Sequence, residues 1–236
     1  MKCKLCGLDK KLVKAHIIPE AFFRPLRSGK NAPFLIRPGD YVKRAPIGVY
    51  DKTILCADCE AKFGVWDDYG QSLLIQNFND AQSFEKDGIV YGYIFESYDY
   101  EKLKLFFISV LWRASVSTLE FFKTVSLNVF EDRAKDHIQN NNPGSADDFS
   151  VMLARFDELD GQRSILNPQP TRFKSINFFV FYLTGFVAYI KVDKRKITGD
   201  QRKFIMSPEQ VLPIVRRPFD ESQERRLLVK VAKSAK

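Results

Sequence analysis

Apolar positions along this chain fall into runs whose spacing predicts their structure. Residues 100–125, "YEKLKLFFISVLWRASVSTLEFFKTV", are apolar nearly all round and predict a long buried helix. "ADCEAKFGVWDDYGQSLLIQ" carries Phe63, Trp66, Leu73 and Leu74 at helical spacing, with Gly70 on the same stripe, and predicts an amphipathic helix. "FEDRAKDHIQ" reads as a shorter helix stopped by "NNNPG". "GIVYGYIFES" and "FSVMLARF" are aromatic and β-branched, hence strands. "INFFVFYLTGFVAYIKVD" reads as a hairpin about Thr184-Gly185. "SPEQVLPIV" offers a helix start at Ser207 with Pro208 in the first turn, and the charged tail beyond it is expected to fray.

The first third of the chain is different. "KLVKAHII" is a short extended run that Pro19 should end, because proline lacks an N–H and restricts the residue before it. "EAFFRPL" predicts one or two helical turns, and "ILC" a brief strand. Residues 28–50 hold Gly29, Pro33, Pro38, Gly39, Pro46 and Gly48, which is loop composition. The expected architecture is α+β. A small module, residues 1–76, precedes a larger α+β domain, residues 77–236, that has a central apolar helix and an antiparallel hairpin.

Composition narrows the function classes. The chain has 236 residues, 45% of them hydrophobic, enough for a sizeable core and too many for a disordered segment. The runs Leu103–Val116, interrupted by Lys104 and Arg113, and Phe178–Ile190 both fall short of the roughly 20 apolar residues that span a bilayer, and no signal-peptide core is present. The expectation is a cytoplasmic protein in a reducing compartment, away from membranes. The net charge of +8 is concentrated: residues 1–50 hold eleven basic and three acidic side chains. Such a surplus suits a polyanion, because Lys and Arg displace counterions from phosphates. Lys10, Lys11, Lys14, Arg24, Arg27, Lys30, Arg37, Lys43 and Arg44 are the candidate contacts.

All four cysteines stand in two C-x2-C pairs, Cys3/Cys6 and Cys56/Cys59, separated by 49 residues. Each pair offers two thiolates at a bite suited to tetrahedral zinc, and together they close its shell. Such an ion is structural, a staple for a module too small to fold on its own core. The competing assignments are a redox C-x2-C pair or two unlinked buried pairs. His16 lies between the pairs, in the most basic part of the chain. A neutral imidazole there can take a proton from water, as hydrolysis of a phosphodiester requires.

The order C-x2-C, "AHIIP", "YDKTILC", "CADCEAK" resembles the zinc-stapled branch of the HNH endonucleases, the ββα-metal fold, over roughly residues 3–70. The resemblance implies His16 as general base, Asp51 as the residue that positions it or shapes the loop, and Glu60, with Asp51, as ligands of a catalytic Mg2+ or Mn2+. Three positions depart from the family pattern: Ala15 where an acidic residue is common, Asp51 in place of Asn, and Glu60 in place of His. Carboxylates remain suitable ligands for hard cations. "HIIPE", "CADCE" and the downstream "LWR" also resemble an HNH-related group of bacterial anti-phage proteins. The expected partners are nucleic acid, DNA ahead of RNA, and a protein such as an ATPase.

Three functions follow: a metal-dependent nuclease, a non-catalytic zinc-stapled nucleic-acid-binding module, or an interaction subunit of a defence complex. Asp67 and Asp68 are expected on a solvated helical face. Trp112 is expected in the core and His137 on a helix surface. No phosphate-binding loop or dinucleotide fingerprint is present.

Overall fold

The computed structural model describes residues 1–27, 32–37, 41–157 and 164–234. In chain order the elements are β1 (Ala15–Ile18), β2 (Phe34–Arg37), β3 (Tyr41–Arg44), β4 (Val49–Asp51), α1 (Ala57–Gln71), β5 (Gln82–Lys86), β6 (Ile89–Phe95), α2 (Tyr100–Val116), α3 (Glu131–Gln139), β7 (Val151–Phe156), β8 (Ser164–Leu166), β9 (Gln169–Phe173), β10 (Ile176–Leu183), β11 (Phe186–Lys191), β12 (Leu212–Arg217) and α4 (Gln223–Ser234). The class is α+β, as the pattern predicts.

Helix α2 starts where Asp99 accepts a hydrogen bond from the Lys102 amide at 3.0 Å, an N-cap. From Leu103 to Ala114 every residue is buried. The expected continuation to Val125 does not occur. Ser117 is extended, and its hydroxyl donates to Asp51 instead of leaving the backbone to propagate the helix. Helix α1 crosses α2 closely at Gly70, where a Cβ would stand 2.8 Å from the Phe106 ring. The glycine on the apolar stripe of α1 is therefore a packing requirement.

A seven-stranded sheet of order β5-β6-β12-β7-β11-β10-β9 packs against α2. Only β12 and β7 run parallel within it. The hairpin of β10 and β11 turns on Thr184 (φ 48°) and Gly185 (φ 78°), the pair of positive φ values that a two-residue turn needs. Thr184 also donates its hydroxyl to the Phe22 carbonyl, tying the hairpin to the N-terminal segment.

Three sequence expectations are corrected here. The helix expected at Ser207 is a turn, and Leu212–Arg217 form β12 between β6 and β7, with Leu212 and Ile214 buried. The alternating apolar residues outweigh the Ser-Pro start signal. The charged tail, read without an element of its own, forms α4, begun by the Ser222 hydroxyl accepting from the Arg225 amide at 3.1 Å and anchored by the buried Glu224 on Arg217 at 3.0 Å; the end expected to fray lies outside the described residues. Residues 28–50, of loop composition, contain β2, β3 and β4, because Gly and Pro bracket short runs that still pair.

Strand β2 also pairs in parallel with β8, and one buried cluster runs from Cys3 to Ile214. The segments before and after residue 76 thus share a core. Among the described residues no helix is long and apolar enough to cross a membrane.

Candidate metal centre and basic face

The first cysteine pair sits in a tight turn. The Cys3 amide donates to the Leu8 carbonyl at 3.0 Å and the Gly7 amide to the Cys3 carbonyl at 2.9 Å, with Gly7 at φ 74°. Only glycine adopts that φ without strain. Backbone hydrogen bonds carry the turn to the second pair: Lys4 to Ile54 at 2.8 Å and Val13 to Leu55 at 2.9 Å. Cys56 caps α1 and Cys59 lies in its first turn, where the helix N-terminus favours negative charge.

The four Sγ atoms lie within 4.8 Å of one another, and Cys6 and Cys56 are 4.0 Å apart. A tetrahedral zinc with bonds of about 2.3 Å sets its sulfurs about 3.8 Å apart, whereas a disulfide needs about 2.05 Å. The donor set thus fits a metal ion such as zinc. Burial raises the Cys3 thiol, but the Cys6, Cys56 and Leu5 amides outweigh it and lower the group to about 7. Burial and the neighbouring sulfurs push Cys59 strongly up. Sulfurs this crowded ionise together only with a cation among them. Among the described residues this is the only group of three or more Cys, His, Asp or Glu placed to hold an ion.

Strands β1 and β4 pair antiparallel, Ala15 opposite Asp51 and His16 opposite Tyr50, and α1 follows through Cys56. The order strand–strand–helix around the cysteines is that of a ββα unit. Ala15, Ile17, Val49 and Asp51 face inward and are buried. His16 and Tyr50, half-buried, alternate with them on the outer side, and the exposed Lys14 and Lys52 stand just beyond the strand ends.

The three residues that the HNH resemblance assigns to catalysis do not converge on an ion. The Asp51 carboxylate accepts from the Thr53 amide (2.8 Å) and hydroxyl (2.6 Å), the Ser117 hydroxyl (3.0 Å), and the Thr118 amide (2.8 Å) and hydroxyl (3.1 Å). Burial works to raise it, yet these donors hold it below the usual carboxylate range. Five donors fill its lone pairs, so Asp51 is a clamp between β4 and the segment after α2. Glu60 accepts the His16 backbone amide on Oε1 at 3.1 Å, while Oε2 is buried without a partner. Ala15 offers no ligand. The carboxylates present therefore do not fit a catalytic Mg2+ or Mn2+ site.

Behind His16 lies a buried charge cluster that sequence spacing did not indicate. Arg113 of α2, fully buried, donates to both oxygens of Asp67 at 2.6 and 2.8 Å and to the His16 carbonyl at 2.7 Å. Its guanidinium also lies 4.8 Å from the Phe63 ring centroid. Asp67, expected on a solvated face, is thus an interior partner. Burial raises its carboxyl and Arg113 pulls it back. Glu60 and Arg113 together hold both backbone groups of His16. Its ring, half-buried, lies edge-on to Tyr50 with centroids 6.1 Å apart. Burial lowers the His16 pKa, Arg113 adds to that, and a hydrogen bond to the Ile47 backbone opposes it. The imidazole is neutral at physiological pH.

Glu60 gives a pH test. Burial pushes its carboxyl up, against the pull of Arg113 and the His16 amide. A folded value above the unfolded one means that folding favours the protonated form. That stability is complete below the unfolded value near 4.3 and fades as pH rises through the folded one. Glu60→Gln keeps the acceptor for the His16 amide and deletes the titration. In urea unfolding the variant is expected to match wild type near pH ~4 and to be the more stable of the two at neutral pH. A variant less stable at neutral pH would mean the ionised form is the one folded in.

The nine candidate cations divide. Lys10 pairs with Asp58 at 2.7 Å, Arg24 and Arg27 with Glu20 at 3.4 and 2.6 Å, and Arg37 with Glu120 at 3.2 Å. Lys30 lies outside the described residues. Among the described residues Lys11, Lys14, Lys43 and Arg44 have no carboxylate partner; Lys14 stands 5.3 Å over the Tyr50 ring and Arg44 5.7 Å over Phe34. Lys52, which the sequence reading passed over, joins them. Its signal was its place beside Tyr50 and Asp51, in the bend that follows β4. Trp112 is in the core as expected, and the His137 ring, partly exposed, faces the Asn142 carbonyl at 2.8 Å. No family model, curated protein or solved structure matches this chain.

Proposed function

We propose that this protein binds nucleic acid through the outward face of the β1–β4 ladder, held in shape by a structural zinc on Cys3, Cys6, Cys56 and Cys59. One observation supports this reading above the others. Lys14, His16 and Tyr50 lie together on the ladder, with Lys43, Arg44 and Lys52 around the adjoining cleft, and the nearby carboxylates Asp51, Glu60 and Asp67 accept from Thr118, the His16 amide and Arg113. A face whose anions are engaged elsewhere presents net positive charge to a phosphate backbone. A shell of four thiolates leaves zinc no open position, so its contribution is the cross-link between the two cysteine turns.

Binding to a labelled duplex is expected to weaken as salt rises, with log K falling by about 0.9 per log unit of salt for each phosphate neutralised. The double exchange Lys14→Glu, Lys52→Glu should weaken binding by about tenfold or more and flatten the slope by about 2. No measurable binding at low salt, or an unchanged slope, would remove the proposal. A second reading, phosphodiester hydrolysis with His16 as base, is favoured by the neutral, partly exposed imidazole among those lysines. It takes precedence if the wild-type protein nicks plasmid DNA and His16→Ala, with binding retained, does not.

A further inference from the structure

Beside the basic face a cleft of about 510 Å³ opens at the junction of the N-terminal ladder and the segment after α2. We infer that this cleft receives an unpaired nucleobase, so that the nucleic acid proposed above is single-stranded where the protein grips it. The inference rests on that proposal and adds strandedness to it.

Two walls form the cleft. One is the β3–β4 turn and β4 itself, from Ala45 to Thr53; the other is Thr118–Phe121. They are fixed to each other in advance. Asp51 on the first wall accepts from Thr118 on the second, the Thr53 and Thr118 hydroxyls are 3.3 Å apart, and Arg37 reaches across from β2 to the Glu120 carbonyl at 3.0 Å. A preformed slot costs little ordering on binding. Its volume lies within the roughly 300–1,000 Å³ of small-ligand sites.

The chemistry of the lining changes with position. Pro46, Ile47 and Leu119 supply an apolar interior, and Ile47 is 46% exposed although bulky and aliphatic. Thr53 and Thr118 add hydroxyls whose hydrogens are donated to Asp51, leaving their oxygens to accept. Lys43, Arg44 and Lys52 line the same cleft, and none of the three has a carboxylate partner among the described residues. The lining holds two carboxylates, and both are engaged: Asp51 accepts from Thr53, Ser117 and Thr118, and Glu120 pairs with Arg37 and Lys123. Tyr50 belongs both to the lining and to the outward face. An apolar slot with hydroxyls inside, an aromatic ring on its wall and unpaired cations around it matches one nucleotide: base within, phosphates outside. Charge complementarity selects this occupant over an apolar peptide. A base enters such a slot only when free of its partner strand, and stacking on an aromatic ring is how single strands are held without sequence preference.

The test compares fluorescence anisotropy of labelled oligo-dT with that of a duplex of equal length, at matched salt. Wild type is expected to favour the single strand by about tenfold. Tyr50→Ala should bring the ratio of the two affinities towards one. So should Ile47→Glu, a substitution on a side chain exposed enough for the fold to tolerate. Equal affinity of wild type for both probes, or a ratio unmoved by both variants, overturns the inference while leaving nucleic-acid binding in place. Competition by poly-glutamate as effective as by unlabelled oligo-dT also overturns it. Failure to bind either probe overturns the inference and the proposal together.

Discussion

Cys59→Ser is expected to strip the bound metal from the chain and to open the N-terminal ladder. Wild-type protein should carry about one zinc per chain by elemental analysis, and the variant close to none. The effect is large because nothing else joins the two cysteine turns so closely: the backbone contacts between residues 3–13 and 54–56 are a few hydrogen bonds and isolated bridges. Structural zinc of this kind contributes an apparent 10–16 kcal/mol, roughly, at neutral pH. Each backbone hydrogen bond gives about 1 kcal/mol net. With the ion gone, Cys56 no longer fixes the start of α1 against the Cys3 turn. The His16 amide then loses its fixed relation to Glu60 on that helix. Limited proteolysis should cut the variant within residues 1–56 under conditions that spare wild type, and a chelator added to wild type should reproduce the pattern. A zinc-free wild-type chain, or a protease-resistant variant, would show that the four sulfurs are merely packed together. Loss of the ladder should also abolish nucleic-acid binding, because the outward face exists only while β1 and β4 are paired.

How much of this was legible in the chain depends on the range of the interaction concerned. The cysteine gathering was readable because ligand spacing is local and only its closure is long-range. The same holds for α1, α2 and the β10–β11 hairpin, whose periodicity and turn residues act within a few positions. Asp67 was misread for the opposite reason. Its partner Arg113 is 46 residues away, and an aspartate beside another aspartate on a helix carries no local sign of a buried guanidinium. Asp51 and Glu60 were assigned by resemblance to a site, and each turns to a partner that no spacing rule indicates: Thr118 across the junction and the His16 backbone amide. The strands β2 and β3 were hidden by the Gly and Pro around them. Their stability comes from β8, 130 residues downstream of β2 in register, and from burial of Leu35 and Ile36.

These long-range contacts share a location. Asp51, Asp67, Arg113 and the cleft all belong to the junction where α2 and the segment after it meet the ββα unit. A strand of the unit is fixed on its inner side by a helix from the rest of the chain, so the geometry of the basic face depends on residues far outside it. The resemblance covered under a third of the sequence and had no means of indicating that dependence.

Arg113→Met tests that dependence, and its expected cost is about 3–5 kcal/mol. Methionine replaces much of the volume, so the loss reads the charge rather than a cavity. Five acceptors lose a donor: both Asp67 oxygens, the His16 carbonyl, and the Ser109 carbonyl and hydroxyl. Asp67, with a side chain only 15% exposed, would then be a nearly buried carboxylate without its counter-charge, and burial already pushes it towards protonation. For a chain of this size the midpoint of thermal unfolding should fall by roughly 6–20 °C. Removing the stranded charge should recover part of the loss, so the double variant Arg113→Met, Asp67→Leu is expected to be more stable than Arg113→Met alone. Arg113→Lys should not restore wild-type stability, because a single ammonium cannot span Asp67 in a fork and still reach the His16 carbonyl. Zinc content should stay near one per chain in all three, which separates loss of this cluster from loss of the cysteine staple. If Arg113→Met unfolds with wild type and binds DNA as tightly, the helix is not what holds β1 in place, and the face that carries His16 stands on the zinc alone.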